Sequence, residues 1–131
     1  MSEDGTQIIL HNYVNLAIAV GFDGGLLVPV VKGADKMTLS ELVVESKKIV
    51  KKALDMKLTP DEQSGSTFTI SNLGMFGVQS FNPIINQPNS AILGVSSTVE
   101  KPVVVNGEIT VRPMMTLTLT IDHRVVDGLA G

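Results

Sequence analysis

The feature that most restricts what this chain can become is the alternation in its last stretch. From Met115 to Asp122, the side chains of Met115, Leu117, Leu119 and Ile121 fall on one side of an extended backbone, and those of Thr116, Thr118, Thr120 and Asp122 on the other. A period of two sustained in this way describes a β-strand with one covered face, which in turn requires a sheet. The strand runs out into charge, Asp122-His123-Arg124-Val125-Val126-Asp127-Gly128. It therefore delivers a titratable imidazole to the rim of that sheet, where α/β proteins place their chemistry. Histidine, with an ordinary pKa of about 6.5, can both accept and return a proton near neutrality. Taken alone, one histidine beside a strand is more readily read as a surface or hydrogen-bonded structural group. The spacing His-x-x-x-Asp-Gly is what makes His123 a candidate base.

Composition narrows the setting. A chain of 131 residues is one domain, with room for a core but not for two lobes. Apolar residues make up 44% of it, which is globular rather than disordered. The net charge of -3 gives no basic excess, so nucleic acid is not an expected partner. The absence of cysteine removes disulfides, a thiol nucleophile and thiolate metal ligation together, and fits a reducing compartment. The apolar run Leu26 to Val31 is interrupted by Pro29 and falls far short of the roughly 20 residues of a membrane span, so no membrane partner is expected. Met1 to Gly5 is acidic, unlike a signal or transit peptide, and reads as a polar leader.

Earlier segments supply the rest of the sheet. Ile8 to Leu10 and Val14 to Val20 read as strands, the second apolar at nearly every position. Leu26 to Val31 is a further strand with an edge or break at Pro29. Thr38-Leu39-Ser40-Glu41 is a capping box that opens a helix ending near Met56 or Lys57. Its stripe of Leu39, Leu42, Val43, Ile49, Val50, Ala53 and Leu54 predicts a helix lying on the sheet. The run of Lys47, Lys48, Lys51 and Lys52 reads as its wet face. Thr59-Pro60-Asp61-Glu62 starts a short helical turn closed by Gly65. Thr67 to Ser71 is a strand that delivers Ser71 and Asn72 into Leu73-Gly74-Met75-Phe76-Gly77, which has neither the Gly-Lys-Ser/Thr nor the helix of a phosphate loop. Phe81 to Pro88 is a loop, Ser90 to Ser96 a buried strand, and Val103 to Val111 a hairpin turning at Asn106-Gly107. His11 has no partner motif and reads as structural or solvent-facing.

The block Asp122 to Gly128 resembles the His-x-x-x-Asp-Gly signature of the dihydrolipoamide acyltransferases, the core components of 2-oxoacid dehydrogenase complexes. Gly65-Ser66-Thr67-Phe68-Thr69-Ile70-Ser71-Asn72-Leu73-Gly74 and Gly25-Leu26-Leu27-Val28-Pro29-Val30-Val31 are similar to two further blocks of that family. Pro83 to Pro88 and Ala91 to Gly94 continue the likeness in the family's order over nearly the whole chain. The resemblance implies an α+β fold, a two-layer sandwich of a mixed β-sheet with helices on one face, like chloramphenicol acetyltransferase. The family's catalytic domain is longer, so residues 1–131 read as a single partial domain lacking the amino-terminal portion and the final helix.

The activity implied is transfer of an acyl group between dihydrolipoamide and coenzyme A by direct attack, without an acyl-enzyme. The resemblance makes His123 the general base and Ser71 the oxyanion donor. Asp127, tempting as a third triad member, is assigned instead to a structural ion pair with an arginine that orients the loop; Arg112 and Arg124 are the only arginines here, and the family's partner is expected before Met1. Asn72 ranks below Ser71, as a support for the neighbouring turn. Coenzyme A enters as a substrate, the lipoyl group on a domain outside this chain, and no metal is expected. The family's active site is a channel in a homotrimer, His from one subunit and Ser from its neighbour, within a higher core assembly that meets decarboxylase and dihydrolipoamide dehydrogenase components. That places the protein in bacterial cytoplasm or mitochondrial matrix. Ile70 to Gly77 is most like the acetyl-transferring members, whereas Pro113-Met114-Met115 and Pro83 to Asn86 are also similar to succinyl-transferring ones. Two alternatives remain open: a self-assembling core fragment without turnover, and a free acetyltransferase acting on a small hydroxyl compound.

Overall fold

A computed structural model describes residues 1–2 and 4–129 of the chain. Seven elements follow in order: β1 Leu16–Phe22, β2 Gly25–Leu27, β3 Val30–Val31, α1 Leu39–Leu54, β4 Phe68–Asn72, β5 Ala91–Val105 and β6 Glu108–Ile121, with short 3-10 turns between them. The sheet runs β2-β1-β4-β5-β6, with β3 paired to β1. β1, β4 and β5 are parallel, and the remaining pairings are antiparallel. This is a mixed sheet with one long helix, the α+β class expected.

Local chemistry sets the boundaries. Thr38 caps α1 through a complete capping box, its hydroxyl accepting from the Glu41 N–H while the Glu41 carboxylate accepts from the Thr38 N–H at 2.8 Å. Thr59 and Glu62 repeat the device, with Glu62 accepting from the Thr59 N–H at 2.9 Å. Val28 and Pro29 split the run from Leu26 to Val31 into β2 and β3, the break anticipated at the proline. Asn106 and Gly107 turn the β5–β6 hairpin with φ of 52° and 85°, both positive as a type I′ turn requires.

Three expectations need correction. Ile8 to Leu10 forms no strand and is exposed, Leu10 to 90%, with no strand paired to it among the described residues. The helix ends at Leu54, and its buried residues are Ile49 and Ala53; Leu39, Val43 and Leu54 face solvent, the helix meeting the sheet chiefly at β1 and β3. β5 and β6 are also longer than expected and run through Pro102 and Pro113. Beyond Val95 the strand β5 has lost β4 as a neighbour, so the hairpin is two-stranded there and each proline faces an open edge.

The register defines the sheet's faces. Ala17, Thr69, Ile92 and Thr120 form one row across β1, β4, β5 and β6, and Ala19, Ser71, Gly94 and Thr118 form the next, all on the same face. That face is covered: Ala17, Thr69 and Ile92 are buried, and the loop from Phe81 to Ser90 lies over it, Asn89 donating to the Thr69 hydroxyl at 2.6 Å. The opposite face carries Ile18, Ile70, Leu93, Leu117 and Leu119, with Leu117 56% and Leu119 45% exposed. The last strand is thus half-covered as its alternation predicts, but its threonine side is the inner one. Asn86 and Asn89 of the covering loop donate to the Thr69 hydroxyl on β4, on that same face of the sheet, so polarity alone does not identify the inner side.

Candidate functional site

Ser71 is the penultimate residue of β4 and is half-buried between Ala19 on β1 and Gly94 on β5. The turn that follows is fastened to β5 from both sides. The Asn72 carboxamide oxygen accepts from the Gly74 N–H at 2.8 Å, and the Leu73 N–H donates to the Val95 carbonyl at 3.0 Å. The pairing of β5 with β6 is irregular between Val95 and Thr98, which frees the Ser97 N–H to donate to the Val78 carbonyl at 2.7 Å. Gly74 has to be glycine, because a Cβ there would stand 2.8 Å from the Ser96 carbonyl oxygen. Two hydroxyls, Ser96 and Ser97, are buried beside this turn with no hydrogen-bond partner among the described residues.

His123 sits at the exposed crest of the turn that ends β6. The Asp122 N–H donates to the Ser90 carbonyl at 2.8 Å, and the Asp122 carbonyl accepts from Val125 and Val126, closing the turn beneath the imidazole. Arg124 grips the Asp122 carboxylate with Nε at 3.0 Å and Nη2 at 2.8 Å. That guanidinium, together with the Arg124 N–H, holds the Asp122 carboxyl down at about 2. Asp127 lies past the turn and accepts from the Leu129 N–H at 3.1 Å. A cleft of about 300 Å³ opens beside Asp122 and Arg124, bounded also by Gln87 and Ser90. Among the described residues no three His, Asp or Glu side chains gather as a metal site, and no helix is long and apolar enough to cross a membrane. His11 packs edge-on to Tyr13 at 5.2 Å and stays exposed.

Strand direction decides what these residues can do together. β4 and β5 run the same way, so Ser71 lies toward their carboxyl ends; β6 runs back, and its last residue Ile121 pairs with Ala91 at the start of β5. The row through Ser71 meets β6 at Thr118, five residues before His123. At about 3.3 Å per residue along the strands and about 4.8 Å between them, the two groups are separated by roughly 15 to 20 Å. One chain therefore brings Asp122, His123 and Arg124 together but leaves Ser71 at the other end of the sheet. The Asp122–Arg124 grip was missed in the sequence, although an aspartate two residues before an arginine at a strand end is its local signal.

The family model for the 2-oxoacid dehydrogenases acyltransferase catalytic domain matches residues 1–131. The chain is 48% identical over 121 residues to the dihydrolipoyllysine-residue acetyltransferase component of the pyruvate dehydrogenase complex of Rickettsia felis, covering 92% of this chain and 29% of that protein. It is 50% identical over 125 residues to the succinyltransferase component of the 2-oxoglutarate dehydrogenase complex of Bartonella vinsonii subsp. berkhoffii, covering 95% of this chain and 30% of that one. The chain thus spans about three tenths of the length of these curated relatives. Among solved structures, the dihydrolipoamide acetyltransferase of Azotobacter vinelandii superposes with a TM-score of 0.92 at 40% identity, over 98% of this chain and 53% of that one. That structure was studied for the role of a serine, a histidine and an asparagine in its catalytic mechanism.

Proposed function

Since the chain belongs to the 2-oxoacid dehydrogenase acyltransferase family, we propose that its protein moves an acyl group between dihydrolipoamide and coenzyme A at a site that two chains build together. One observation carries this reading. In the Azotobacter relative the histidine follows the studied serine by 52 positions and the asparagine follows the histidine by 4; Ser71, His123 and Asp127 keep both spacings, with aspartate in the last place. Because one chain holds Ser71 and His123 at opposite ends of its sheet, a partner chain must supply the second of them. The core assembly in this reading is a homotrimer and its multiples.

The chemistry follows from the groups. A thiol with a pKa of about 8.5 is mostly protonated at pH 7, so a base must remove its proton. The His123 imidazole takes that proton, and the thiolate attacks the thioester carbonyl carbon. The tetrahedral oxyanion accepts a hydrogen bond from the Ser71 hydroxyl, which its tightly fastened strand end holds in place. Collapse expels the other sulfur as a thiolate, and the imidazolium returns the proton to it. One thioester replaces another, so a base with a pKa near the working pH serves both directions. Asp127 fixes the loop after His123 and takes no proton.

Acetyl is the group we assign, on the likeness of Ile70 to Gly77 to acetyl-transferring members. The test is transfer between acetyl-coenzyme A and dihydrolipoamide by the whole protein, with succinyl-coenzyme A in parallel. Faster acetyl transfer supports the assignment, and faster succinyl transfer reverses it. Assembly with transfer of neither group would favour the core fragment without turnover.

A further inference from the structure

We propose that Gly94 sets the size of the acyl group accepted beside Ser71, by leaving room for Phe81 and Pro83 to form the wall of the acyl site. The inference rests on the acyl-transfer reading above and goes further by naming the residue that restricts the substrate. Gly94 is the register partner of Ser71, on the same face of the sheet. Side chains of such partners stand side by side, about 5 Å apart. At 94 there is no side chain. A Cβ there would meet Phe81 Cζ at 3.0 Å, Pro83 Cδ at 3.1 Å and Pro83 Cγ at 3.2 Å, so the tip of the ring and the edge of the pyrrolidine occupy that space.

The backbone does not require this glycine. Gly24, Gly33, Gly65, Gly77 and Gly107 have the positive φ that favours glycine, and Gly94 does not. What glycine provides at 94 is the absence of a side chain. The covering loop can then settle against β5 immediately beside Ser71, whose other neighbour in the row is the methyl of Ala19. Two positions along the same strand, Ser96 is 2% exposed with an unpartnered hydroxyl, so the apolar wall gives way to a buried polar group at its far end. An acyl carbonyl held by the Ser71 hydroxyl directs its chain along this wall. A two-carbon acyl group ends at the ring tip, whereas each added methylene must displace Phe81 or Pro83.

The experiment measures kcat/KM with acetyl-, propionyl- and butyryl-coenzyme A on the whole assembled protein. Gly94→Ala forces Phe81 and Pro83 outward into the acyl space, and the butyryl-to-acetyl ratio is expected to fall on the order of tenfold, as one methylene in a tight pocket does. Phe81→Leu shortens the wall and is expected to raise the ratio by about the same factor. The double variant returns it to near the parent value. A merely structural glycine would change the melting temperature and the absolute rate and leave the ratio alone. Ratios unchanged in both single variants, with acetyl transfer intact, overturn the inference; if Gly94→Ala does not fold, the Phe81→Leu ratio decides alone. A parent protein that transfers none of the three groups overturns the acyl-transfer reading itself, and this inference with it.

Discussion

The two ends of the sheet hold their functional groups by different means. At the Ser71 end the constraint is steric and backbone-borne: Gly74 against the Ser96 carbonyl, the Leu73 and Ser97 amides bonded across to β5, and a loop seated on Gly94. At the His123 end the turn is exposed, closed by backbone bonds from Val125 and Val126 to the Asp122 carbonyl and gripped by one charged pair, Arg124 on Asp122. On the roles proposed for Ser71 and His123, the difference follows from the two tasks. An oxyanion donor acts only if it is already in position when charge develops, so rigidity is worth most there. A base has to pick up and hand over a proton, and a solvent-facing turn permits that. The Ser71 end should therefore respond to volume and the His123 end to charge.

Predictions that break or sharpen this contrast can be ordered by size. His123→Ala in the whole protein is expected to lower turnover about 10²- to 10⁴-fold, as removal of a general base does; a loss under about tenfold on the same scale contradicts its role. Ser71→Ala should cost on the order of 10²- to 10³-fold in kcat with little change in KM. Unchanged turnover would make Ser71 an ordinary strand-end serine. Gly74→Ala places a Cβ against a backbone oxygen that no rotamer can relieve, so it should destabilise the fold by about 1 to 3 kcal/mol in denaturant titration and reduce turnover as the turn shifts. A neutral outcome would show the Ser71 turn to be looser than its contacts imply.

The smallest effect belongs to the other end. Arg124 holds the Asp122 carboxyl at about 2, below its ordinary 3.8. A depressed acid stabilises the fold above its unfolded pKa and loses that contribution as pH falls through the folded value. The melting temperature of the parent should thus exceed that of Asp122→Asn by a small margin at pH 6, and the margin should close between pH about 4 and about 2. A margin that grows on acidification contradicts the ion-pair account.

Much of the fold was legible because the deciding interactions are local. The alternation of β6, the Asn106-Gly107 turn and the Thr38 capping box each involve residues within a few positions of one another. What failed depended on distant partners. Ile8 to Leu10 looks like a strand but has no pairing strand among the described residues, and the leucine side of β6 looks like an inner face because its sequence cannot show that the loop from Phe81 to Ser90 lies over the other face of the sheet. Val103 to Val111 reads as a hairpin apart from the strand before it because the sequence does not show that β4 stops short and lets β5 and β6 run on through Pro102 and Pro113 with free edges. For the candidate site, His123 and Ser71 could be picked out by motif, but their separation within one chain is a matter of strand direction. Gly94 closes the Ala91 to Gly94 block of the family likeness, but only the register beside Ser71 singles it out within that block.

The central claim, that two chains share each site, is tested most directly by subunit complementation. His123→Ala and Ser71→Ala proteins, each nearly inactive, are dissociated, mixed in equal amounts and reassembled. A site that takes its serine from one chain and its histidine from the next regains both in roughly a quarter of random pairings, so the mixture should recover roughly a quarter of parental turnover. Recovery no greater than the average of the two variants would mean that both groups act within one chain, contrary to the register that sets them at opposite ends of the sheet.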